Sequence, residues 1–144
     1  MGSDQRVAEE FKYLAVVPYA KSIELYNLHR ALPYIKEETH VIVVESAKSC
    51  MLLTQWGHRN CVSMEGKSLS PTQARLLKEL RVPITFAWDK DVGAEEIKKQ
   101  TQCFKNRLAY CAYDTKGLLS ATDSPIDKGQ EIWEKLFRST HKIY

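Results

Sequence analysis

"VIVVESAKSCMLLTQWGHRNCVSM", Val41 to Met64, decides the fold. Its opening "VIVVE" is β-branched and unbroken, the mark of a strand buried on both faces rather than one exposed on alternate residues. "SAKSCMLLTQWG" is helical in character and stops at Gly57, a residue suited to the left-handed turn that ends helices. "NCVSM" is a second short strand.

Working outward, the same alternation continues. "SPTQARLLKEL", Ser70 to Leu80, carries a full helix-start signal: Ser70 as N-cap, Pro71 in the first helical position and Gln73 completing a capping box. Ala74, Leu77 and Leu80 form its apolar stripe. "PITFAW" (Pro83–Trp88) reads as a third strand, and "VGAEEIKKQTQCF" (Val92–Phe104) as a helix with Ala94, Ile97, Thr101 and Phe104 on one face. "RLAYCAY" (Arg107–Tyr113) reads as a fourth strand and "GLLSATDSPIDKG" (Gly117–Gly129) as a loop. "QEIWEKLFRS" (Gln130–Ser139) reads as a helix turning Ile132, Trp133, Leu136 and Phe137 inward. Towards the N-terminus, "SIELYNLHRALPYI" (Ser22–Ile35) reads as a further helix, with Ile23, Tyr26, Leu28 and Leu32 available for packing. Regular strand–helix alternation predicts an α/β fold: a parallel sheet of about four strands with helices on both faces and right-handed crossovers.

The chain has 144 residues, 44% hydrophobic and 27% charged, with a formal charge of +3. That suits one domain of ordinary globular composition. The charge permits nucleic-acid contact without requiring it. No apolar run approaches the ~20 residues of a membrane span, and no secretion signal is expected. Cys50, Cys61, Cys103 and Cys111 form no C-x-x-C pair. The last three sit among apolar residues and are expected to be small core side chains, so a reducing cytoplasm is the simplest compartment. The four histidines show no metal-binding spacing.

In parallel α/β sheets, ligands bind beyond the carboxyl ends of the strands. Glu45 ends the first strand, and Asp89 and Asp91 follow the third. If those strands are neighbours, the three carboxylates converge, and Asp123 and Asp127 of the late loop can reach the same edge. Singly, each has a plainer reading, as an exposed loop residue, a turn residue or a cap. Together they favour a hard cation, Mg²⁺ or Mn²⁺, bound by carboxylate oxygens and water. Without a cation, such a cluster should retain protons, with raised and interdependent pKa values. "MEGKS" ends like a Walker A loop, but the glycine that pattern needs five residues before Gly66 is Cys61. Gly66 is instead expected to permit a tight turn, and Lys67 to contact phosphate.

"VIVVES" and "WDKDVG", with "SMEGKSLSPTQARLLKEL" between them, resemble a Toprim domain, and "ELYNLHRA" and "DSPID" resemble the bacterial-type, phage or mobile-element-like, DNA primase branch. The likeness runs from about Lys21 onward. It departs from the family pattern at Ser46 and Ser49, where glycine and a further aspartate are usual, and at Lys90, where glycine is usual. The resemblance implies a Toprim domain over residues 40–144, preceded by residues 1–39 as the remnant of a primase N-terminal subdomain with a short helix. It implies nucleotidyl transfer dependent on Mg²⁺ or Mn²⁺, with Glu45, Asp89 and Asp91 as catalytic residues, joined by Asp123 and Asp127 as metal ligands. Lys48, Lys67 and Lys90 would hold phosphates. The implied partners are single-stranded nucleic acid, nucleotides and a replicative helicase. A small Toprim nuclease and a catalytically weak binding module are the alternatives.

Overall fold

The computed structural model describes residues 24–144. Among them, α1 (Leu28–Glu38), β1 (Val41–Val44), α2 (Ala47–Gln55), β2 (Cys61–Ser63), α3 (Pro71–Leu80) and β3 (Ile84–Ala87) follow one another. Then come α4 (Ala94–Gln100), a 3₁₀ turn (Gln102–Phe104), β4 (Ala109–Cys111), α5 (Gln130–Arg138) and β5 (His141–Lys142). The strands form one sheet in the order β2-β1-β3-β4-β5. The first four are parallel, as expected, while β5 runs antiparallel along β4. β5 is an addition to the expected four-stranded sheet. Its two exposed residues, His141 and Lys142, offer no apolar run to read.

β1 lies between β2 and β3, and all four of its residues are buried. Val41 and Val43 enter one core with Ala31 and Ile35 of α1, Leu77 of α3 and Ile97 of α4. Ile42 and Val44 enter a second core with Cys50 and Leu53 of α2 and Trp133 and Leu136 of α5. Period-two alternation thus feeds helices on both faces, and each fully buried aliphatic side chain is worth about 1.5–3 kcal/mol. The capping box of α3 forms: Ser70 Oγ accepts from the Gln73 amide at 3.1 Å, and Gln73 Oε1 accepts from the Ser70 amide at 3.0 Å. Gly57 closes α2 with φ 95°.

Three local expectations need correction. The N-terminal helix starts at Leu28, because Tyr26 instead bridges to Ser63 of β2 and Asn27 takes φ 70° as N-cap. That start turns Ala31 and Ile35 to the core; Ser22 and Ile23 lie outside the described residues. Cys103 is exposed, because the 3₁₀ turn directs Phe104 inward in its place. In the loop after β2, the left-handed residue is Glu65, at φ 55°, and not Gly66.

Candidate active site

The register Val44↔Ala87 sets the ends of β1 and β3 side by side. Glu45 and Asp89 therefore emerge at one point, where the Asp89 amide donates a hydrogen bond to Glu45 Oε2. The two carboxyl groups are also within hydrogen-bonding reach of each other. They line a cavity of about 450 Å³ with Lys48, Ser49, Gly66, Ser124 and Asp127, among others. Behind them Trp88 stacks on Phe86 with centroids 4.9 Å apart, and its indole N–H donates to the Lys67 carbonyl at 3.0 Å.

Burial raises the Glu45 carboxyl to about 7; the Asp89 charge adds to that rise, while the hydrogen bond from the Asp89 amide opposes it. Asp89 is raised too, first by burial and then by the charges of Asp91 and Asp127. Two crowded acids with carboxyls raised by burial and by the charge of neighbouring acids are what the sequence reading expects of this edge without a cation.

The other predicted residues are placed differently. Asp91 is bound to Lys67, Oδ2 to Nζ at 2.6 Å. Asp123 Oδ2 accepts from the Ser120 amide at 2.8 Å and lies 3.5 Å from Lys128 Nζ. Asp127 faces the cavity while Oδ2 accepts from the Ser124 amide at 2.8 Å. Lys48 is exposed at the cavity's edge. The Lys90 ammonium lies 3.0 Å from Asp114 Oδ2 and donates to the Leu119 carbonyl at 2.8 Å. Ser46, the first departure from the Toprim pattern, is the N-cap of α2; its hydroxyl accepts from the Ser49 amide at 3.2 Å.

Among the described residues, no group of three or more Asp, Glu, His or Cys is arranged to hold a metal ion. The donor set is nonetheless all oxygen, with the adjacent acids Glu45 and Asp89 and with Asp127 on the same cavity. That suits Mg²⁺, which is commonly held by one or two carboxylates with water and substrate phosphates completing its shell. A larger groove of about 700 Å³, between α1 and α2 at the β2 edge, has no carboxylate in its lining. The carboxylates Glu45, Asp89 and Asp127 line the smaller cavity.

Sequence reasoning missed Asp114, a buried acid that lies well before the "DSPID" motif and matches no pattern. Its only signal was an acid directly after an apolar strand. It also missed Gln73 beyond its cap: the side chain is buried and donates to the carbonyls of Glu24 (2.8 Å) and Met64 (2.9 Å).

No family model matches the chain. It is 34% identical over 114 residues to the DNA primase of Helicobacter pylori, covering 79% of this chain and 20% of that protein. The crystal structure of the zinc-binding and RNA polymerase domains of the Aquifex aeolicus primase matches with TM-score 0.69 and 28% identity, over 85% of this chain and 31% of that one. This chain is a small primase-like domain. A second solved structure, the DnaG primase catalytic domain bound to ssDNA, matches the fold of the primase-like domain with TM-score 0.66 at 20% identity, over 85% of this chain and 40% of that one. The primase-like domain spans about a fifth of the length of the Helicobacter primase. Its mostly parallel five-stranded sheet is of the Toprim type seen in these neighbours. No helix among the described residues is long and apolar enough to cross a membrane.

Proposed function

We propose that this domain carries out the nucleotidyl transfer of a primase, dependent on Mg²⁺ or Mn²⁺, on single-stranded nucleic acid. The observation that carries the reading is the Glu45–Asp89 pair: two protonatable acids held together at the ends of adjacent parallel strands, facing an open cavity. Glu45, with its carboxyl at about 7, is poised to take the proton of an attacking hydroxyl at neutral pH. Asp89, with Asp127 behind it, would hold the cation. A bound Mg²⁺ would neutralise charge on the phosphate oxygens during in-line displacement. Lys48 at the cavity edge and Lys67 beside Asp91 would bind phosphates of the strand or nucleotide. On this reading residues 1–39 lead into the domain as a remnant of the primase N-terminal subdomain, the compartment is the cytoplasm, and a replicative helicase is a partner.

The test is incubation of the protein with Mn²⁺ or Mg²⁺, single-stranded DNA and nucleoside triphosphates. Short oligonucleotides formed by wild type and lost in Asp89→Asn support the reading. Cutting of the strand that is lost in Glu45→Gln replaces it with a nuclease that uses water as nucleophile. Strand binding without turnover, unchanged in Asp89→Asn, replaces it with a binding module.

A further inference from the structure

Lys90 stands between Asp89 and Asp91 in sequence, yet its polar atoms are committed to the late loop. Its ammonium lies 3.0 Å from Asp114, whose side chain is completely buried, and donates to the Leu119 carbonyl at 2.8 Å. Its amide donates to the Asp123 carbonyl at 2.9 Å. Asp114 in turn accepts from the amides of Leu118 and Leu119, each at 2.9 Å. Burial alone would raise the Asp114 carboxyl, but those amides and the Lys90 charge outweigh it and hold the pKa at about 2. One residue of the D-x-D turn thus grips residues 114–123 at both ends, through side chain and backbone.

The chain from there runs without helix or strand until α5, and Ser124 and Asp127 face the same cavity as Glu45 and Asp89. Leu119 and Ile126 are buried in the second core, and the residues between them are held by turns of their own, Asp123 on the Ser120 amide and Asp127 on the Ser124 amide; Lys90 ties those turns to the end of β3. We infer that Lys90 is a positioning residue: paired with Asp114, it latches the late loop to the D-x-D turn so that Asp127 faces Asp89. The inference deepens the proposed cation site and rests on it.

Charge and position have opposite signs here. Removing a cation next to an acidic site, with nothing else changed, tightens divalent binding. Removing the latch weakens it. Mn²⁺ alone is titrated into wild type and Lys90→Met by calorimetry. The expected result is about tenfold weaker binding, the scale typical of lost outer-shell support. Asp127→Asn added to Lys90→Met should then weaken binding no further. Should Lys90→Met leave Asp114 unpaired and fail to fold, Lys90→Met with Asp114→Asn removes both charges and leaves net charge unchanged; it is read in the same way. Binding that is unchanged or tighter in the folded variant overturns the latch. Should wild type bind no Mn²⁺, the cation reading fails, and the latch is judged on amide hydrogen exchange at Leu119, Ser124 and Ile126. Exchange about tenfold faster in the variant supports it, and unchanged exchange overturns it.

Discussion

Lys67 and Asp91, from the loop after β2 and the turn after β3, meet ammonium to carboxylate at 2.6 Å across the open end of the sheet. The pair is exposed, and Asp91 raises the Lys67 pKa. Solvent and salt screen an exposed pair, so it adds little to stability. Lys67→Ala should therefore leave the melting temperature nearly unchanged while weakening single-strand binding. If Lys67 contacts one phosphate, the slope of log K against log salt should become shallower by about 0.7. Fluorescence anisotropy with a labelled oligonucleotide across a salt series measures it.

Glu45 sets a pH dependence of stability. Its folded pKa of about 7 lies above the ordinary 4.5, so between these values the folded state binds more protons than the unfolded one. Stability of the metal-free protein should fall as pH rises through that window, by about 1–2 kcal/mol once access of solvent at the cavity is allowed for. Urea melts at closely spaced pH values measure the slope. Glu45→Gln should flatten it.

A divalent cation that binds only the folded state stabilises it by mass action. At ten times its dissociation constant the gain is about 1.4 kcal/mol, a rise of roughly 3–6 °C for a domain of this size. Differential scanning fluorimetry with Mg²⁺ and Mn²⁺ should show the rise in wild type and none in Asp89→Asn. Without metal, Asp89→Asn should melt higher than wild type, because repulsion with Glu45, Asp91 and Asp127 is relieved.

Gln73 joins α3 to two other segments through the carbonyls of Glu24 and Met64. Gln73→Ala removes both donors and half of the capping box, leaving the buried Met64 carbonyl unsatisfied. The expected cost is about 2–4 kcal/mol, read as a lower denaturation midpoint with unchanged m-value. Gln73→Glu should not rescue it, since a carboxylate cannot donate to a carbonyl.

The sheet was legible because β1 is apolar throughout, β3 is broken only by the β-branched Thr85, and each crossover helix announces itself; Ser70, Pro71 and Gln73 gave the start of α3 to the residue. Glu45 and Asp89 were legible for the same reason, since strand ends in a parallel sheet predict where side chains converge. β5 was not, because its pairing is a tertiary contact of two polar residues. Nor was the separation of Asp91 and Asp123 from the pair, which depends on Lys67, the Ser120 amide and Lys128 meeting them in space. The Lys90–Asp114 pair was not legible either, because nothing in the neighbours of Lys90 points to an acid that follows β4 in the chain.

The pairing of β1 with β3 also bears on how the domain folds. Val44 meets Ala87 only after α2, β2 and α3 have been threaded between them, so the central ladder closes a long loop before it gains its bonds. Folding should be slow for a chain of this length, and its rate-limiting step should include that closure. Mutations such as Val43→Ala and Phe86→Leu would then slow folding, while truncations in the late loop would chiefly speed unfolding. The acidic pair cannot assemble ahead of this step, so its mutual repulsion opposes the strand pairing that creates it, and folding should quicken below the Glu45 pKa.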